Sequence, residues 1–219
     1  MHGTVRLRPK RRGLSRALPT RTLRRMFVVL FEVEPRPERW DDYLRYAGAL
    51  RPELDKIDGF LDNRRFRSRR HEGRLLSLSL WRDEKALVRW RSHAGHHAIQ
   101  AKGRSEVFRD YHLRVGELVR DGGVAQPQMR FDETEVGAAR AVSTIDRPTP
   151  EVPPDAVGLV DWDMFHGITD PADRLLLLSW RDAAAMDAWP PQGGVRRMDI
   201  RIVRDYGLRD RAEAPQFHA

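Results

Sequence analysis

Most of the side chains in this chain that could do chemistry fall between residues 77 and 111. Ser77, Ser79 and Trp81 alternate with Leu76, Leu78 and Leu80 along Leu75–Trp81 (LLSLSLW). That alternation is the mark of a strand with two different faces, so it sets two hydroxyls and an indole on the face opposite the leucines. A serine hydroxyl can hydrogen-bond a carbonyl or a bound oxygen. Trp90 follows nine residues later, and behind it come His93, His96 and His97. Histidines three or four apart on a helix are spaced as metal ligands. Here no glutamate stands between them, Gly95 weakens the helix, and a solvated or capping set of histidines is the simpler reading. No metal site is expected. Tyr111 is a candidate cavity wall. Arg104 would steer an anionic substrate, unless it is an ordinary exposed helix arginine. The two tryptophans suit core packing equally well.

These residues need elements to hold them. Trp81 ends a strand, Asp83 stands at a helix N-cap position with Glu84 in the first turn, and Ala86, Leu87 and Trp90 continue at helical spacing. The same strand, link and helix return 99 residues later as LLLLSWRDAAAMDAW. Aligned without a gap, Gly59–Trp90 and Gly158–Trp189 share Gly59/Gly158, Asp62/Asp161, Phe66/Phe165, Leu76/Leu175, Leu78/Leu177, Trp81/Trp180, Arg82/Arg181, Asp83/Asp182, Ala86/Ala185 and Trp90/Trp189. A duplicated unit follows. In the first half, Met26–Val33 reads as a buried strand and Pro35 to Ile57 as an amphipathic helix with a kink or break at Pro52. Phe60–Arg67 and Leu75–Trp81 form a hairpin. The helix from Asp83 breaks at Gly95 and resumes through His96–Phe108, and Tyr111–Arg120 is the last strand. The order β-α-β-β-α-β is the ferredoxin-like split unit. One such unit leaves a sheet face bare, and two packed together cover it. In the second half Ala139–Ile145, Gly158–Phe165, Arg174–Trp180 and Val195–Arg204 are the expected strands. The link RPTPEVPPDAV is too short for the first helix, Asp182 caps Ala183–Trp189, and Pro190-Pro191 stops that helix. The expected fold is α+β: two ferredoxin-like (βαββαβ) units forming one α+β barrel within one chain, the second with reduced helices. The boundaries are 1–25 for a basic tail, 26–121 and 139–207 for the units, 122–138 for a linker and 208–219 for a polar, frayed end.

Charge narrows the partners. The net charge is +8, yet residues 1–25 hold nine arginines and lysines and no acid, so the rest of the chain is close to neutral. A phosphate-binding surface on the fold, and hence a nucleic-acid partner, is not implied. The basic stretch reads as a disordered arm, a transit-type leader, or sequence upstream of a start at Met26, the reading preferred here because the strand pattern begins there. No apolar run approaches the roughly 20 residues of a membrane span. There is no cysteine, which removes disulfides and thiolate chemistry and fits a cytoplasmic location.

The run WRDEKALVRWRSHAGHHAIQAKGRSEVFRDYHLRV, behind a Gly-Phe strand and a leucine-rich strand, resembles the antibiotic-biosynthesis monooxygenase family of the dimeric α+β barrel superfamily. The resemblance spans residues 26–121 well and the second half weakly. It implies a small-molecule oxygenase acting on an aromatic or phenolic, polyketide-like substrate. Dioxygen would be the co-substrate and no cofactor would be required. It also implies an intrachain pseudo-dimer, with a further homodimer possible. Polyketide-oxidising members set an Asn and a Trp four apart on the third strand; Trp81 matches the Trp and Ser77 stands in place of the Asn. Both are the catalytic candidates, with Ser79, Trp90, Tyr111 and Arg104 around the substrate. A deprotonated phenol or anthrone can itself reduce dioxygen, so the pocket need only favour the anion, orient it and exclude water. Haem-degrading members place an Asn on the first strand, a Trp on the second helix and a His further along it. Trp90 fits, His96 or His97 approaches the ligand position, and Phe31 replaces the Asn. A haem-binding or haem-degrading monooxygenase and a non-catalytic ligand-binding barrel protein are therefore the alternatives.

Overall fold

The computed structural model describes residues 26–148, 155–189 and 194–215. Expectations for the basic tail and for Pro190-Pro191 lie outside these residues. Strand β1 (Phe27–Pro35) leads through a short 3-10 turn to α1 (Trp40–Leu54); β2 (Phe60–Ser68) and β3 (Leu75–Trp81) form a hairpin. Helices α2 (Glu84–Arg91) and α3 (Ala94–Lys102) and a π turn at Gly103–Val107 precede β4 (Phe108–Asp121). After the short β5 (Val124–Ala125) come β6 (Ala141–Asp146), β7 (Leu159–Gly167), β8 (Arg174–Trp180), α4 (Ala183–Ala188) and β9 (Arg197–Gly207).

All strand pairs are antiparallel, and the order β1-β3-β2-β7-β8-β6-β9-β4 closes through a β1–β4 pairing into an eight-stranded, barrel-like sheet, with β5 appended to β4. The fold is α+β. Two seams join the halves: β2 to β7 over Phe66–Ser68, and β4 to β9 over His112–Asp121. The β2–β7 seam is short, three residues on each strand, and the β4–β9 seam is long. Alternation then decides which face each residue meets. Val28, Leu30, Phe66, Leu76, Leu78, Phe165, Leu175, Leu177, Ile200 and Ile202 point inward and form one packed core. The barrel interior is thus filled by side chains at its middle, and the helices lie on the outer face.

The shared residues of the two halves have matching jobs. Asp83 and Asp182 each accept the N–H three residues on, from Ala86 at 2.7 Å and Ala185 at 2.8 Å, and so cap α2 and α4. Gly59 and Gly158 sit at φ +90° and +86°, where a Cβ would come within 2.6 Å of Ala86 Cβ and 2.5 Å of Ala185 Cβ. A left-handed turn pressed against the first turn of a helix therefore requires glycine there and a small residue opposite.

Three expectations need correction. Pro52 lies inside α1, which continues past it to Leu54. The break between α2 and α3 comes at Ser92–His93 rather than at Gly95, and the segment after Lys102 widens into a π turn before Phe108 enters β4. The C-terminal segment through Pro215 is tied down, not frayed. Leu208 N donates to Tyr111 O at 3.2 Å, and Glu213 accepts from Glu135 N at 2.7 Å and Asp205 N at 2.6 Å. Among the described residues no helix is long and apolar enough to cross a membrane.

Candidate active site

The outer face of the first-half sheet carries two rows of residues that run straight across the strands. One row is Asn63, Ser79, Val29, Val115 and Arg204; the next is Arg65, Ser77, Phe31, Leu113 and Tyr206. The strands crossed are β2, β3, β1, β4 and β9, so each row is polar at both ends and apolar in the middle. Helices α1, α2 and α3 roof this floor. Between floor and roof lie two slots of about 130 and 140 Å³ that share Phe31, Ser79, Trp81, Trp90 and His96 as walls.

Trp81 is 1 % exposed and packs among Phe27, Val29, Leu54 and Trp90. Its indole N–H donates to Ser79 Oγ at 2.9 Å. Ser77 is approached in the same way: Asn63 Nδ2 donates to its Oγ at 2.8 Å and to Leu78 O at 3.3 Å. Each serine is thereby occupied as an acceptor, which leaves its O–H as a donor toward the slot. Two residues apart on one strand, the hydroxyls are about 7 Å from each other. They suit two oxygen atoms, not one.

His96 lies on the roof with its ring stacked on Trp90, centroids 4.2 Å apart and planes 16° apart. Its Nδ1 is 3.0 Å from Trp90 O. A carbonyl can only accept, so Nδ1 carries the proton and Nε2 keeps its lone pair. Burial lowers the His96 pKa to about 4, against the Trp90 hydrogen bond that would raise it. The ring is neutral at neutral pH, an acceptor set above two donors.

The sequence candidates divide accordingly. Trp81, Ser79, Trp90 and His96 line both slots, and Ser77 lines one. Tyr111 sits on the helix side of β4 beside Phe31 and Phe108, lines neither slot, and accepts from Arg211 at 2.7 Å. Arg104 falls in the π turn and His97 is exposed; neither lines a slot. Asn63 was missed by sequence reasoning. It supplies an amide beside Ser77 from the neighbouring strand, and only the β2–β3 register brings the two together.

A haem does not fit this arrangement. His96 is clamped flat against Trp90, and slots of this size do not admit a macrocycle beside its free nitrogen. Among the described residues no three histidines or carboxylates are grouped to hold a metal ion. A roomier cavity of about 450 Å³, lined in part by Tyr111, lies elsewhere, around Glu32, Arg114 and Asp205. Several of its charged groups are paired with one another: Arg114 binds Glu32 at 2.5 Å and Ser179 at 2.8 Å, and His112 binds Asp205 at 2.5 Å. An apolar substrate is better served by the slots.

Comparison with known proteins identifies the family. The family model for antibiotic biosynthesis monooxygenase matches residues 26–102, which include β1 to β3 of the floor and the helices over it. A curated protein of Pyricularia oryzae, "Jasmonate monooxygenase ABM", is 42 % identical over 214 residues, which cover 88 % of this chain and 98 % of that one. Among solved structures, an aldoxime dehydratase gives a TM-score of 0.53 at 10 % identity, covering 88 % of this chain and 90 % of that one. A second, co-crystallised with butyraldoxime, gives 0.55 at 9 % identity over 86 % and 81 %. At such identities these two speak for the fold alone. The near-complete match to the Pyricularia oryzae protein, with the family model on the slot-bearing half, makes this chain a member of the antibiotic biosynthesis monooxygenase family.

Proposed function

We propose that the protein oxygenates a small, largely apolar molecule bearing a carbonyl or acidic oxygen, held in the slots over Ser77 and Ser79. One observation carries this reading: two serine hydroxyls, each already accepting from Asn63 or Trp81, line the same space as the unprotonated nitrogen of His96. His96 accepts a hydrogen bond from the substrate, and the serines stabilise the charge that builds on the substrate oxygen and the reduced oxygen beside it. Trp81 and Trp90 keep water out. No resident cofactor is part of this scheme.

The relative's name favours a jasmonate-type substrate, a cyclic ketone with a carboxylate. Inserting one oxygen atom into such a molecule and releasing the other as water needs two electrons from an external reductant. The aromatic walls Phe31, Trp81 and Trp90 favour a second reading, a phenol or anthrone, which on oxidation to a quinone supplies those electrons itself. Oxygen uptake separates the two. Jasmonate turnover that requires added reductant supports the first, and reductant-free uptake with an anthrone or hydroquinone supports the second. Absence of uptake across both panels, or uptake unaffected by Trp81→Phe and Asn63→Ala, overturns the assignment.

The duplicated ferredoxin-like origin belongs to this proposal as well, with units at 26–121 and 139–207. The seams β2–β7 and β4–β9 do for one chain what a subunit interface does for two, and α4 is too short to roof a second slot. A cytoplasmic, self-sufficient single chain completes the picture. A stable homodimer in sedimentation, dissociating with loss of activity, would count against it.

A further inference from the structure

The floor of the slot ends, on β9, in charge that nothing described on the protein neutralises. Arg204 stands in line with Val115, Val29 and Ser79, and Tyr206 with Leu113, Phe31 and Ser77. Above them Arg91, the last residue of α2, reaches the same slot. Both guanidinium groups act electrostatically on the Tyr206 hydroxyl. Neither arginine has an acidic partner among the described residues, and Arg91 Nε is buried with no hydrogen-bond partner at all. Glu84, the carboxylate in the slot wall, is spent on Arg130, which holds both its oxygens at 2.9 and 2.8 Å. Two like charges sharing a slot repel each other, and a buried polar group without a partner is destabilising. An anion between them removes both penalties. A planar carboxylate matches the guanidinium fork.

The opposite end of the same rows carries the serine donors. From β3 to β9 there are three interstrand steps of about 4.8 Å, so the two ends lie roughly 14 Å apart across an apolar middle. A short anion would reach one end only. A molecule with a carboxylate at one end, an apolar body, and its oxidisable carbon toward the serines spans the floor.

We propose that Arg91 and Arg204 form a carboxylate anchor that makes this enzyme select an elongated apolar monocarboxylate and fixes which end of it meets Ser77 and Ser79. The orientation rests on the oxygenase reading above; the anchor itself does not, and it can be measured without turnover. Equilibrium binding of decanoate and of methyl decanoate is compared in the full-length protein by calorimetry. The acid binds about 10-fold or more tighter than the ester in the unsubstituted protein. Arg204→Gln and Arg91→Gln each bring the two affinities close to equality by weakening the acid and sparing the ester. Arg204→Lys keeps part of the preference because charge remains without the fork. Lys85→Gln, an exposed charge removal on the same helix, changes neither affinity. Thermal melts check that the variants are folded.

Equal binding of acid and ester in the unsubstituted protein, or a preference that survives both glutamine variants, overturns the anchor. Oxygen uptake with no preference for the acid would sink the anchor and spare the oxygenase. An acid preference lost in the arginine variants, without any oxygen uptake, would do the reverse.

Discussion

Replacing Ser79 with alanine takes away the acceptor of the Trp81 indole N–H, a bond of 2.9 Å between an indole 1 % exposed and a hydroxyl 8 % exposed. The orphaned buried donor costs about 1–3 kcal/mol. For a chain of this length that lowers the melting temperature by roughly 2–12 °C. Trp81→Phe alone removes the donor and leaves a void beside Leu54 and Phe60. In the Trp81→Phe background the donor no longer exists, and Ser79→Ala then costs well under about 1 kcal/mol. The two substitutions are therefore non-additive, with a coupling of about 1–2 kcal/mol in the direction of mutual relief. Thermal melts followed by far-ultraviolet circular dichroism measure all four proteins, and oxygen uptake is recorded on the same samples. Ser79→Ala lowers activity beyond its stability cost, since the hydroxyl donor in the slot is lost too. The second half holds the comparison: Trp180 Nε1 donates to Ser143 Oγ at 3.0 Å, away from either slot. Ser143→Ala destabilises without a specific loss of activity. Costs that add within about 0.3–0.5 kcal/mol would refute the reasoning, because they would mean the indole N–H finds another partner.

Other outcomes follow from the same geometry. His96 is buried neutral with a pKa of about 4, so its contribution to stability is full above pH 6.5 and declines as pH falls from 6.5 toward 4, where the unfolded chain binds the extra proton. The loss is up to roughly 3 kcal/mol, and His96→Gln flattens the acid limb of a stability-against-pH curve; an unchanged limb would place the titration elsewhere. Gly59→Ala meets Ala86 at 2.6 Å in a left-handed turn and costs more than about 2 kcal/mol, whereas Gly73→Ala, at φ +79° with open space, costs only the roughly 1–2 kcal/mol of backbone strain; urea midpoints compare them. Glu32→Gln breaks the buried pair with Arg114 and costs about 3–5 kcal/mol, and a Glu32→Leu, Arg114→Met double variant recovers much of it. Equal losses in the single and double variants would contradict that account.

How much of this was legible beforehand depends on the range of the interaction. The alternation of Leu75–Trp81 announced a strand with two faces, and the chain folds it so, with Leu76 and Leu78 in the barrel and Trp81 under the helices. The caps Asp83 and Asp182, the paired turns at Gly59 and Gly158, and the hairpin strands were readable because each is settled within a few residues of itself. The family resemblance rested on the same local features. Trp81, Ser77, Ser79, Trp90 and His96 could be named as candidates because the resemblance gave those types and spacings a role.

Their company could not. That Asn63 completes Ser77 depends on the β2–β3 register, and that Arg204 ends the row begun by Ser79 depends on four strands being in step. A slip of one residue in any of them would turn the row to the other face. Tyr111 and Arg104 lie close in sequence to the site yet outside the slots, because the π turn and the rise of β4 carry them past it. By itself, the order of residues determined the elements, their inner and outer faces and the family. Which polar groups converge, which arginines are left without an acid, and where the cavity opens were decided by strand pairing between segments far apart in the chain, and pairing over such distances has no local signature.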